Sequence, residues 1–223
     1  MILLQIASDT TALQSADQSI SILDLAMKGG VIMIPLAMMW IFAVYIFFER
    51  LLTVNKAGKV PVSFMTNVKE LVTRGDVNGA RIVCTQNDTP IARIIEKGIL
   101  RIGKPIENIE KSMENTGRLE LYKMEKNMVI LTIIAGVAPM FGFLGTIAGM
   151  IQTFFNISIT SDITLGTIAG GIYVKMITSA TGLLIGIMAY IGYSYLNAQI
   201  DKVVNQMEAA SAEFIDVLYA PVK

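Results

Sequence analysis

Residues 170–186 read GGIYVKMITSATGLLIG, an apolar and glycine-rich run with one charged side chain, Lys175, and no Asp or Glu beside it. Whether this run is a soluble core helix or the middle of a membrane span decides the fold. The apolar stretch around it runs through 165–196, and two more stand at 31–48 and 128–155. Each reaches the roughly 18 to 20 residues needed to cross a hydrocarbon core about 30 Å thick. The 223-residue chain is 53% hydrophobic and only 16% charged, and its mean hydropathy of +0.59 is too high for an ordinary soluble domain. The chain therefore reads as an all-α membrane protein with three transmembrane helices, of which only the third carries a charge.

The formal net charge is zero, but residues 50–127 hold fourteen of the eighteen Lys and Arg against nine Asp and Glu. Arg50, Lys56 and Lys59 follow the first span, and Arg118, Lys123 and Lys126 precede the second. By the positive-inside rule that loop faces the cytoplasm. The segment NISITSDIT between spans two and three has no Lys or Arg and is expected outside. The start MILLQIASDTTALQ has no basic region before an apolar one, so the first span is expected to be an uncleaved anchor. Adjacent Glu49 and Arg50 are expected to stay hydrated at the interface.

Several function classes have little to stand on. There is no histidine, and the single cysteine, Cys84, supplies neither a disulfide nor a zinc cluster. A phosphate-binding glycine loop and a GxSxG nucleophile are also missing, so neither an enzyme nor a cofactor is expected.

Between the spans the pattern is helical. SFMTNVKELVTRG is expected to end at Gly75, DVNGARIVCTQN to start on an Asp cap, and TPIARIIEKGILRIG to start with Pro after Thr. From residue 105 onward the helical period continues into the second span, predicting one helix of about 50 residues, ~75 Å long. The third span is expected to continue into NAQIDKVVNQMEAASAEFIDVL and pack against it below the membrane. Before the first span, Ile20, Leu23 and Met27 recur at helical spacing, as in a helix lying on the membrane surface.

Small and hydroxyl residues form stripes. In the second span Thr132, Ala135, Pro139, Gly142, Thr146, Gly149 and Thr153 alternate at three and four. Thr164, Thr167, Gly171, Lys175, Thr178 and Gly182 recur at steps of three or four in the third. Such faces turn toward protein or water, and two readings are open: helix packing alone, or a polar path. A protonated lysine at mid-membrane costs roughly 2.5 to 3.5 kcal/mol on insertion scales, which favours an anionic partner or an aqueous route over snorkelling.

The chain resembles the MotA/TolQ/ExbB family, in its three-span ExbB and TolQ branch. The resemblance rests on KGG, Pro35 and FFERL in the first span, TRGDVNGARIVC in the loop, IIAGVAPMFGFLGTIAGMIQTF in the second span and GIYVKMITSATGLLIGIMA in the third. It extends over about residues 22–200. It implies a homopentameric ring whose second and third spans line a lumen. Within that lumen sits an ExbD- or TolR-like partner helix whose Asp carries the ion. Proton flow then works on a TonB-like or TolA-like protein reaching the outer membrane.

The family's Glu of the third span falls on Val174, its threonine there on Ser179, and that of the second span on Thr146. Thr146, Val174, Lys175, Thr178 and Ser179 are thus the expected ion-path or partner contacts. Thr132, Ala135, Pro139, Gly142, Gly149, Gly171 and Gly182 are the expected pore-facing small stripe. The loss of the Glu leaves a non-conducting scaffold open beside the motor. H⁺ is the expected coupling ion, but the same hydroxyls suit Na⁺.

The resemblance implies a multi-pass protein of the bacterial inner membrane, in contact with its lipids and with no role for nucleic acid. Residues 1–29 are then a periplasmic segment, 30–49 the first span and 50–126 a cytoplasmic helical domain. The second span is 127–155, with a periplasmic turn at 156–163, the third span at 164–196 and a cytoplasmic helix at 197–223.

Overall fold

The computed structural model describes residues 30–61, 63–160 and 165–219, and every described element is helical. In chain order these are α1 (Met33–Ala57), α2 (Ser63–Thr73), α3 (Val77–Gln86), α4 (Pro90–Ile99), α5 (Ile106–Glu125), α6 (Met128–Thr160) and α7 (Leu165–Tyr219). The surface helix expected around Ile20, Leu23 and Met27 lies outside the described residues. Three helices, α1, α6 and α7, are long and apolar enough to cross a membrane, as the three apolar runs require.

The chain divides into two compact units. The larger comprises 40–136 and 186–223 and contains α2 to α5. Its helix boundaries follow local chemistry. Gly75 ends the α2 region at φ 78°, a conformation glycine adopts without cost. The Asp76 side chain accepts a hydrogen bond from the Gly79 backbone N–H at 2.8 Å, capping α3. Thr89 caps α4 through the Ala92 N–H, and Pro90 stands in its first turn, where no backbone donor is needed.

Within this unit α2 packs on α3, α3 on α4 and α4 on α5. The core is formed by Val54, Phe64, Val68, Ile95, Ile99, Leu196, Ile200 and Phe214, all buried. Phe214 lies so close to α4 that a β-carbon on Gly98 would stand 2.6 Å from its ring. The late part of α7 therefore packs on the small helices, its apolar stripe Ile200, Val203, Met207 and Phe214 turned inward.

Three expectations are corrected. The helix expected from residue 105 through the second span is broken at Lys126 and Asn127, where Lys126 is extended at ψ 134° and Asn127 has φ 66°. Asn is among the few residues that adopt this left-handed conformation at modest cost. Arg50 is not hydrated: it is 6% exposed, and its Nη1 donates to the Lys123 carbonyl at 3.1 Å while Glu49 pairs with its other nitrogens. That carbonyl belongs to the last turn of α5, which has no helical donor of its own. Finally, α6 continues to Thr160, so 156–160 are helical and not part of a turn.

Candidate functional site

The smaller unit comprises residues 1–39 and 137–185. Its described part includes the second half of α6 and the first part of α7. The two helices approach along glycine. A β-carbon on Gly142 would stand 2.9 Å from the Thr178 carbonyl oxygen and 3.1 Å from the Ser179 α-carbon. One on Gly182 would stand 2.5 Å from the Ala138 carbonyl oxygen, and one on Gly145 2.9 Å from Thr178 Oγ1. Real β-carbons do not fit at such distances, so the spacing of the helices is set by the absence of side chains. Close backbone approach gives contact energy that a lipid-like surrounding does not supply otherwise.

The buried row of α6 is Ala138, Gly142, Gly145 and Gly149. It is the seam between two helices of the same chain, and it shares only Gly142 and Gly149 with the stripe read from the sequence. Gly182 lies in the same seam on α7. Pro139, Thr146 and Thr153 stand on its flank and are half-buried; in the larger unit Ala135 is half-buried and Thr132 exposed. Gly145 and Ala138 escaped the sequence reading because small residues at steps of three and four fit two overlapping rows, one turn-fraction apart. The side chains of Val174, Thr167 and Gly171 lie outside what is described, as does Thr164.

The hydroxyls share one behaviour. Thr178, 1% exposed, donates to the Lys175 carbonyl at 2.7 Å. Thr146 donates to the Phe143 carbonyl at 2.6 Å and Thr153 to the Gly149 carbonyl at 2.9 Å. Each proton is used inside its own helix, as is usual where no water competes. The hydroxyl oxygens keep their lone pairs, so Thr146 and Thr153 are able to accept a hydrogen bond from water or from a protonated carboxyl. Ser179 is half-buried beside Gly142. Neither α6 nor the first 32 residues of α7 contain an Asp or Glu, so this unit supplies acceptors and no described acid.

In the larger unit two buried ionisable residues, Glu120 and Cys84, are used structurally. Glu120 is buried and accepts from Arg93 at 2.7 Å and Lys123 at 2.6 Å. Burial alone would raise its pKa, but the two cations outweigh it and hold the carboxyl below 4.5. Burial, with a smaller contribution from Glu96, pushes the Cys84 thiol up to about 12, so it is a core side chain and not a nucleophile. Among the described residues no cluster of Asp, Glu and Cys has the makings of a metal site.

An all-helical chain with three membrane-length helices and a glycine seam lined by hydroxyls is a multi-pass membrane protein with no described catalytic group. Residues 86–209 match the MotA/TolQ/ExbB proton channel family, and the chain belongs to it. Families of this kind are channel proteins and not enzymes. The chain is 29% identical over 190 residues to a biopolymer transport protein ExbB homologue of Methanothermobacter thermautotrophicus, covering 84% of this chain and 67% of that one. It is 28% identical over 209 residues to an ExbB-like biopolymer transport protein of Synechocystis, covering 92% and 82%. With the Tol-Pal system protein TolQ of Pseudomonas aeruginosa it shares 26% over 117 residues, 52% of this chain and 51% of the other. Membership of the family goes in general with complexes containing an ExbD/TolR-type partner.

Proposed function

We propose that this chain is the membrane-embedded subunit of an ion-driven energy transducer of the ExbB-ExbD type. In this reading H⁺ moving down its gradient passes hydroxyls of α6 and α7 on a carboxylate that the chain itself does not provide. The single observation that carries it is the pairing of available hydroxyl oxygens at Thr146 and Thr153 with spans free of acid. A proton carrier has acceptors to move past, and no competing acid in α6 or in the first 32 residues of α7 to trap it. The carrier is an ExbD- or TolR-like partner bearing an intramembrane Asp.

The rest of the machine follows the family. Five copies surround the partner in a ring, the second and third spans face the lumen, and the work is delivered to a TonB-like or TolA-like protein. The excess of Lys and Arg in 50–127 supports a cytoplasmic helical domain, with the N-terminus on the periplasmic side of a bacterial inner membrane. H⁺ is the favoured ion because the hydroxyls sit singly along the helices, which suits a water wire better than a Na⁺ cage.

A second reading, a non-conducting scaffold, is favoured by one feature: Val174 stands where the resemblance places an acid. Proton uptake by liposomes containing the chain with and without its ExbD-like partner separates the two. The motor requires flux that depends on the partner and on its intramembrane Asp; a stable complex without flux supports the scaffold.

A further inference from the structure

Among the described residues of the smaller unit there is no Asp or Glu, and Lys175 is the one Lys or Arg. Its stem is laid across α6 at Gly149: a β-carbon there would stand 2.1, 2.2 and 2.3 Å from Lys175 Cδ, Cε and Cγ. A side chain at 149 would need the space that the lysine stem occupies, so the stem would have to leave its seat. The hydroxyls of Thr178 and Thr153 donate to the Lys175 and Gly149 carbonyls and, being neutral, offer the ammonium no counter-charge. No hydrogen bond or ion pair to the ammonium is made among the described residues.

Depth narrows what its partner is. Lys175 lies ten residues after the start of α7 at Leu165, and Gly149 eleven before the end of α6 at Thr160. At 1.5 Å per residue each is ~15 Å of helix from the nearer end. The four methylenes of Lys175 are spent sideways on the neighbouring helix at Gly149 and hold the ammonium against α6. A lipid phosphate stays mobile at the head-group level, whereas a carboxylate fixed in protein is able to meet an ammonium held in this way.

We propose that Lys175, seated on Gly149, is the docking charge for a carboxylate carried by a membrane-spanning segment of another polypeptide. The inference rests on reading this unit as membrane-embedded and deepens the proposed function by naming the chemistry of the partner contact. The glycine sets where the ammonium stands, and the ammonium sets the register at which the partner helix binds. Lysine suits this role because its single point charge accepts a carboxylate from a range of directions.

The test uses full-length chain in its native membranes with an apolar carbodiimide, which joins carboxylate to amine as an amide while the reagent takes up the water and becomes a urea. The expected product links Lys175 to an Asp or Glu in an apolar segment of a different polypeptide. Coupling of Lys175 to an acid of this same sequence, or no coupling while exposed lysines react, overturns the proposal. Recovery of that polypeptide with the purified chain should fall roughly thirtyfold in Lys175→Met. It should be largely retained in Lys175→Arg, and should fall in Gly149→Val, which keeps the charge but fills its seat. Unchanged recovery in Lys175→Met also overturns it. Proton flux in the same preparations keeps the two ideas apart: flux without Lys175 coupling removes the docking charge alone, and coupling without flux removes the motor alone.

Discussion

The carbonyl oxygen of Thr178 would lie 2.9 Å from a β-carbon on Gly142, so the two helices of the smaller unit meet backbone to backbone at this pair. The seam admits no side chain there. It explains why glycine recurs on both helices, and it makes the packing sensitive to single methyl groups.

Gly142→Leu and Gly182→Leu should each cost about 1–3 kcal/mol through overpacking. Gly136, which has nothing within 4 Å of its β-carbon position, is the control. Gly136→Ala should be neutral or stabilising by up to about 1 kcal/mol, the ordinary gain from replacing a helical glycine. Thermal unfolding in detergent, followed by loss of the monodisperse elution peak, distinguishes the seam from the open site.

The break between α5 and α6 depends on Asn127 at φ 66°. Asn127→Gly should leave stability nearly unchanged, whereas Asn127→Val should lose about 1–2 kcal/mol because a β-branched residue resists the left-handed region. If Val were tolerated as well as Gly, the two helices would be continuous in solution. Circular dichroism during thermal unfolding of the three proteins reads this directly.

Much of this architecture was legible beforehand, and the exceptions have physical causes. The caps at Asp76 and Thr89-Pro90 and the stop at Gly75 are local chemistry, settled within four residues of chain. The break at Asn127 is not, because one left-handed residue in an otherwise helical period costs less than tertiary packing returns. Arg50 next to Glu49 reads as a solvated pair; its burial depends on the Lys123 carbonyl, 73 residues away in sequence. The glycine stripes were legible as faces. What covers a face is not encoded in spacing, which is why Gly142 and Gly182 are found in an intrachain seam.

Glu120 gives the larger unit an acid-sensitive element. Its folded pKa is lowered from 4.5, so its stabilising contribution is complete above that value and is lost as pH falls below it through the folded pKa. Glu120→Gln should cost about 1–3 kcal/mol at neutral pH. The difference from the natural chain should shrink on acidification below 4.5. Unfolding midpoints taken from about pH 7 to about pH 3 should converge for the two proteins; parallel profiles would assign the acid response to other carboxylates.

The most direct test of the central claim is proton flux into liposomes holding this chain and its ExbD-like partner under an imposed gradient. Flux that requires both proteins, and that disappears when the partner's intramembrane Asp is replaced by Asn, is the expected result. A stable complex of the two that conducts no protons would contradict it.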